Sequence, residues 1–255
     1  MWNIFVEKSI NIWLLKNGLL LYVHPRGWRQ INNKVGSLMK EKQITYLNMN
    51  DVKKGSKTFK CATDYDYYLI ENIDVYKKTI INDYKNEEYQ YMINNELKFI
   101  PNHSFNKVYG LIDIVDDNGF ISDSSYEYRK NWTSNIQTDE HKYPCVYSIN
   151  VKNIISKKWS SCNDKGHFDI TKFIFSNGSG SYKDYDGEYG LTEWAYAFKC
   201  NKEEMNDVEK AFNSKEFNNI IDAIKLTSNK YNHNVIKLFK KDFWKDFFLK
   251  FFIIR

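Results

Sequence analysis

Arg26, Trp28 and Arg29 follow directly on a short apolar run, Leu19–Val23, in the stretch "GLLLYVHPRGWRQ". Guanidinium groups grip phosphates through paired N–H donors, and open α/β sheets gather their ligands beyond the carboxyl ends of their strands. Arginines placed there could hold a phosphodiester; the alternative has Trp28 anchoring the next helix and the arginines solvated. Other chemistries are poorly served. The acidic clusters "DYDGE" and "TDYDYYLIEN" lack the separated acid followed by acid-x-Lys that a metal-dependent nuclease core needs, and read as turns or exposed strand edges. His103, His141 and His233 are isolated. Cys61, Cys145, Cys162 and Cys200 form no CxxC; His167 lies five residues beyond Cys162, and two ligands do not hold a zinc ion. The only Gly-x-Gly, Gly178-Ser179-Gly180, leads into a hairpin rather than a helix, so it lacks the helix N-terminus of a cofactor loop and reads as a turn.

The elements that would position these residues follow from the apolar pattern. "WNIFVEKSINIWLLKN" reads as a first helix. The wholly apolar Leu19–Val23 then reads as a strand buried on both faces, in the middle of a parallel sheet. Such a strand needs a neighbour on each side, and little sequence precedes it. "GWRQINNKVGSLMKEKQ" predicts a second helix. "ITYLNMND" and "DYDYYLIENI" predict two more strands, joined by the polar loop "VKKGSKTFKCAT" as an antiparallel hairpin at the sheet edge. This order is the closing portion of an α/β sheet. From Lys77 the pattern changes: "KKTIINDYKNEEYQYMINN" alternates around a turn, and "LKFIPNHSFNKVYGLIDIV" predicts an extended piece leading into a helix. The polar stretch "DDNGFISDSSYEYRKNWTSN" is the candidate domain boundary. Short strands follow in "YPCVYSINV", "GHFDITKFIFSNG" and "YKDYDGEYGLTEWAYAFKC", with a hairpin turn expected at Asp186-Gly187. Helices are predicted in "KEEMNDVEKAFNS" and "KEFNNIIDAIKLTSN", ahead of a basic aromatic tail.

The 255 residues suffice for one large domain or two small ones, and a hydrophobic fraction of 42% with 17% aromatic supplies a core. The net charge of +5 is a mild excess, much of it in the last nineteen residues, where Lys237, Lys240, Lys241, Lys245, Lys250 and Arg255 face Asp242 and Asp246. That balance fits a polyanionic partner without demanding one. The tail "KLFKKDFWKDFFLKFFIIR" could lie on a membrane surface, but its apolar side chains surround the helix instead of forming one stripe, which favours burial. Cysteine usage points to a reducing compartment with buried thiols. The N-terminal segment is interrupted by Glu7, Lys8, Asn11 and Lys16, so it lacks a signal peptide's apolar core, and nothing reaches the ~18 apolar residues of a membrane span. A soluble, intracellular chain is expected, in a cytoplasm or, for a viral protein, that of its host.

In order and wording, "LLLYVHPRGWR", "KTFKCATDYDYYLI", "FIPN" and "GHFDITKFIFSNG…YDGEYGLTEWAYAF" followed by "FNSKEFNNII" resemble the N6-adenine DNA methyltransferases of restriction–modification systems, of the type with a C-terminal target-recognition domain. Together these segments cover nearly the whole chain. The resemblance implies an α/β fold, an incomplete Rossmann-like methyltransferase sheet over residues 1–76, a connecting segment over 77–124, and a mixed α+β target-recognition domain over 125–255. It implies methyl transfer from S-adenosylmethionine to adenine N6 in the intact enzyme. The family's Gly-rich cofactor loop and its Asn/Asp-Pro-Pro-Tyr loop are both missing, since Pro25, Pro101 and Pro144 are the only prolines and none are adjacent. No S-adenosylmethionine is therefore expected to bind this chain alone, and an upstream polypeptide is expected to complete the sheet.

Base-modifying enzymes extrude their target and hold it against an aromatic face. By resemblance, Phe59 takes that role with Tyr65 in reserve; otherwise Phe59 packs beneath the hairpin. The resemblance also places His167, Lys172, Tyr189 and Thr192 among the DNA contacts, alongside Arg26, Trp28 and Arg29. Trp194 and Tyr196 fit a core equally well. Alternation sends Phe173 and Phe175 one way and Lys172 and Ile174 the other. The expected function is DNA binding and target recognition within a split or incomplete adenine methyltransferase, with double-stranded DNA as partner and no membrane. The alternative is a DNA-binding remnant or specificity module without chemistry.

Overall fold

The computed structural model describes residues 2–113, 117–226 and 231–247. The chain is mixed α/β and divides into two compact units, residues 1–110 with 222–228, and 111–221 with 229–255. The expected connecting segment 77–124 is thus shared between the two.

In the first unit, helix α1 (Trp2–Lys8) runs into a π-turn over Ser9–Trp13, and strand β1 (Leu19–Pro25) follows. A 3-10 turn, Arg26–Arg29, leads to α2 (Lys34–Lys40), whose first turn is capped by the Asn33 side chain accepting from the Gly36 N–H at 2.9 Å. β2 (Gln43–Asn50), α3 (Val52–Phe59) and β3 (Tyr65–Glu71) come next, then the hairpin of β4 (Thr79–Asn82) and β5 (Glu88–Tyr91), and a short α4 (Phe105–Tyr109). The sheet order is β1-β3-β2-β4-β5. β3 is antiparallel to both β1 and β2, so those two run parallel to each other and α2 is their crossover. β4 joins β2 in parallel.

Two expectations are corrected here. Leu19–Val23 is not a central strand buried on both faces. It ends the described sheet and pairs antiparallel with β3, and Leu19, Leu21 and Val23 are exposed by 63%, 68% and 48%. Leu20, Tyr22 and His24 face the core instead. An unbroken apolar run carries no period, so it cannot distinguish two covered faces from one. The pair β2 and β3 is antiparallel as expected, yet it lies inside the sheet, and its loop contains α3. That helix begins with Asp51 accepting from Lys54 N–H at 2.9 Å and ends with Lys60 at φ 59°. A Cβ on Gly55 would sit 1.6 Å from the Thr63 carbonyl, so only glycine lets the returning chain pass this close.

Val6, Val35, Met39, Leu47, Met49, Tyr68, Ile70 and Ile81 fill the core between α1, α2 and one sheet face. Residues 222–226 close this unit. Asn102 donates its backbone N–H to the Ala223 carbonyl at 2.7 Å and its amide to the Asp222 and Lys225 carbonyls at 3.2 and 2.8 Å.

The second unit holds two four-stranded sheets. One comprises β6 (Phe120–Ile121), β10 (Lys172–Ser176), β11 (Ser181–Asp184) and β13 (Ala195–Lys199), ordered β11-β10-β13-β6. The other comprises β7 (Thr133–Ser134), β8 (Tyr143–Ile149), β9 (Ile155–Ser160) and β12 (Gly190–Leu191), ordered β12-β8-β9-β7. Val146, Ile149, Ile174, Leu191 and Ala197 pack together as one core cluster. Helices α5 (Met205–Asn213), α6 (Lys215–Ile224) and α7 (His233–Ile236) complete the chain, with a 3-10 turn over Phe243–Phe247.

The alternation expected in β10 holds. Phe173 and Phe175 meet Phe212 of α5 at 4.9 and 4.7 Å between ring centroids, while Ile174 lies in the other cluster. The hairpin turn expected at Asp186-Gly187 is corrected. β10 and β11 are the hairpin, turned at Asn177–Gly180, and β11 leads on to β12, which pairs in parallel with β8 of the other sheet. Gly187, at φ 72°, accepts instead from Asp169 N–H at 2.9 Å. Of the basic aromatic tail, Phe243 and Trp244 are buried, in ring contact with Phe198. Lys250 and Arg255 lie outside the described residues. Among the described residues, no helix is long and apolar enough to cross a membrane.

Candidate nucleic-acid interface

The carboxyl ends of β1 and β2 gather Arg26, Trp28, Arg29, Phe59 and Tyr65, but the structure separates these residues into two groups. Trp28 and Arg29 are 1% exposed. Trp28 Nε1–H and Arg29 Nε–H both donate to Asp66 Oδ2, at 2.8 and 2.9 Å. Arg29 also donates to the Pro101 carbonyl at 3.2 Å and to the Tyr84 hydroxyl at 3.1 Å. Burial opposes the Arg29 charge, but Asp66 and Tyr84 outweigh it and hold the guanidinium above its usual proton affinity. Neither side chain is presented to a partner; both anchor the turn after β1. Arg26 remains nearer the surface, paired with Asp64 at 2.9 Å and donating to Tyr84 at 3.2 Å.

The second group lies on the sheet face opposite the core. Phe59 is 47% exposed and stands edge-on to Tyr65, ring centroids 4.9 Å apart. Strand alternation adds Tyr67, and Tyr46 and Asn48 from β2, on the same face. Tyr46 and Tyr67 lie 6.0 Å apart. The Tyr46 hydroxyl accepts from Asn82 at 2.7 Å and from Asn48 at 3.3 Å, and Asn50 donates to Asn48 Oδ1 at 2.9 Å. Aromatic faces beside amide donors and acceptors can stack a planar base and bond its edge. Phe59 and Tyr65 are therefore brought together. The amide set was missed in the sequence, although "YLNMN" against "YDYY" carries its period-two signal.

The residues expected to contact DNA from the second unit are all buried. His167 is 2% exposed; its Nδ1 accepts from Leu191 N–H at 3.1 Å, which leaves Nε2–H to donate to Asp123 at 2.9 Å. Burial disfavours the Asp123 charge, but the His167 bond and the Ser125 N–H outweigh it and hold the carboxyl well below the usual range. Lys172 and Asp184 form an ion pair at 2.6 Å with side chains 0% and 2% exposed, and Asp184 also accepts from the N–H groups of Glu188 and Tyr189. Burial lowers the Lys172 proton affinity. Thr192 donates to the Val146 carbonyl at 3.1 Å, and Tyr189 is 8% exposed. These four side chains organise the strands, because each has an internal partner or a core position.

Gly178 and Gly180 do not fit a cofactor loop. A Cβ at either would lie 2.4 or 2.0 Å from the carbonyls of Ile149 and Asn150, so the glycines serve close packing of the hairpin turn. Among the described residues, no group of His, Cys, Asp and Glu could hold a metal ion, and all four cysteines are free.

No protein-family model matches the chain, and no curated protein matches it. Among solved structures, the Type IIL restriction–modification enzyme MmeI in complex with DNA is similar at a TM-score of 0.35 and 10% identity, over 80% of this chain and 36% of that one. The aligned part is thus about a third of that enzyme, at a likeness too low to fix a shared fold.

Proposed function

We propose that this chain provides DNA binding and target recognition within an adenine-N6 DNA methyltransferase of a restriction–modification system, and that its five-stranded sheet is the closing part of a Rossmann-like catalytic sheet completed by another polypeptide segment. One observation carries this reading. Exposed Phe59 with half-buried Tyr65 and the Tyr46, Asn48 and Asn82 cluster share the sheet face opposite the core, toward the carboxyl ends of the parallel strands, where α/β sheets bind ligands. An extruded adenine offers a π-face for Phe59 and an N6/N7 edge suited to an amide. The outer edge of β1, unpaired among the described residues, supports a further strand there.

S-adenosylmethionine would supply the methyl group in the completed enzyme. Nothing in this chain's only Gly-x-Gly turn suits that cofactor, which also keeps a second reading in play: a DNA-binding specificity module without chemistry. The test is binding of the purified chain to duplex DNA at rising salt, followed by methylation assays with a co-produced segment that carries the cofactor loop. Folded protein without DNA affinity at low salt would end both readings. DNA binding without methylation in any combination would leave the specificity module.

A further inference from the structure

Several cations of the second unit rest on aromatic rings around β9 and the loop before β7. Lys158 Nζ lies 4.8 Å from the Tyr147 ring centroid and 5.9 Å from that of Tyr128, and the two rings meet edge to face at 6.1 Å. Lys158 also donates to Asn135 Oδ1 at 2.6 Å. In the same loop, Trp132 has two more ammonium groups against its ring, Lys130 at 5.7 Å and Lys165 at 4.7 Å. The loop is itself fixed. Trp132 Nε1–H donates to the Ser125 carbonyl at 3.1 Å, its ring packs against the cluster of Tyr126, Cys145 and Phe168, and the Thr133 hydroxyl donates to the carbonyls of Glu127 and Lys130.

Carboxylates lie nearby and sort the cations. Arg129 is paired with Glu127, and Asp164 approaches Lys165 at 3.7 Å. Glu193 accepts from the Tyr128 backbone N–H at 3.4 Å. Among the described residues, no carboxylate pairs with Lys130 or Lys158. A ring quadrupole holds an ammonium in place without cancelling its charge, so both lysines keep their attraction for an anion while losing little rotamer freedom on binding it. The ring faces carry the cations already, which leaves the cluster poorly suited to insertion into a lipid surface.

We infer that Lys130 and Lys158, held by Trp132 and by Tyr128 with Tyr147, are fixed phosphate contacts for the backbone of double-stranded DNA. This site rests on the DNA-binding reading above and assigns the sequence-independent part of it. Phosphate contacts set register and orientation, and each one released from counterions adds about one to the salt dependence of the binding constant.

The experiment is fluorescence anisotropy of the whole chain with a labelled random-sequence duplex across a salt series. Lys130→Gln and Lys158→Gln should each lower the slope of log affinity against log salt by about one, and the double variant by about two. Tyr147→Leu keeps the charge and should weaken binding several-fold with the slope nearly unchanged. Melting curves should be unaltered for the lysine variants. An unchanged slope in the double variant, with the parent binding steeply, overturns the site and leaves DNA binding standing. Equal, equally salt-sensitive capture by vesicles of anionic phospholipid overturns the assignment to DNA. A folded parent that binds no duplex at low salt removes the DNA-binding reading and this site with it.

Discussion

Arg29 reaches Asp66 at 2.9 Å with both side chains fully buried, one residue from the turn after β1 and the other near the start of β3. An ion pair in that setting is judged by what its loss leaves behind. Replacing Asp66 with alanine strands a guanidinium inside the core, at a cost of roughly 3–5 kcal/mol. Denaturant unfolding of Asp66→Ala should show that loss, whereas a small effect would mean the arginine escapes to water.

His24 gives a pH-dependent prediction. Its ring stacks on Trp2 at 4.2 Å and bonds the Tyr68 hydroxyl at 2.8 Å, and burial pulls its pKa down to about 4 against the Pro25 carbonyl, which works the other way. The unfolded chain titrates near about 6.5, so between those values it binds more protons than the folded one, and stability falls as pH falls. The full effect is roughly 3 kcal/mol for a shift of this size. Urea unfolding between pH 7 and pH 4 should show a slope that His24→Gln flattens.

Phe59 is exposed enough that its removal should leave the fold alone. If the proposed methyltransferase is reconstituted, Phe59→Ala should cost about 1–3 kcal/mol of target binding or turnover, the usual worth of a base stacked on a ring. The paired melting curve should move little. A large fall in melting temperature with unchanged turnover would make it a packing residue.

The outer edge of β1 carries no charge between Leu19 and Val23, and charged residues are the usual guard of an open strand edge. Leu21→Lys with Val23→Lys should raise the solubility of the isolated chain, with little change in melting because both side chains are largely exposed. The same pair of changes should abolish capture of any completing segment. Light scattering and co-purification read the two effects.

What could be read from the sequence depended on local period. β10 was legible because Phe173 and Phe175 alternate with Lys172 and Ile174, and the helix pattern of 205–224 needed no partner to be seen. The pairing of β2 with β3 was legible for the same reason. Leu19–Val23 was not, since a run without polar residues gives no sign of which face is covered. The burial of the side chains expected to face DNA from the second unit was illegible for another reason. His167 and Lys172 are polar, but their partners, Asp123 and Asp184, are 44 and 12 residues away. Only the folded register brings them together, and a resemblance of segments carries no sign of such internal partners. The amide set of Asn48, Asn50 and Asn82 likewise depends on two strands meeting in parallel.

Asn102 bonds to carbonyls 120 and 123 residues further along the chain. A growing polypeptide therefore cannot finish its first unit when residue 110 leaves the ribosome. Those backbone and amide groups wait, solvated, until residues 222–225 emerge, by which time most of the second unit has been made. Units of a chain ordinarily mature in order of synthesis. Here the earlier one stays unsealed until most of the later one has been made, and the time spent unsealed scales with translation speed through the intervening hundred or so residues.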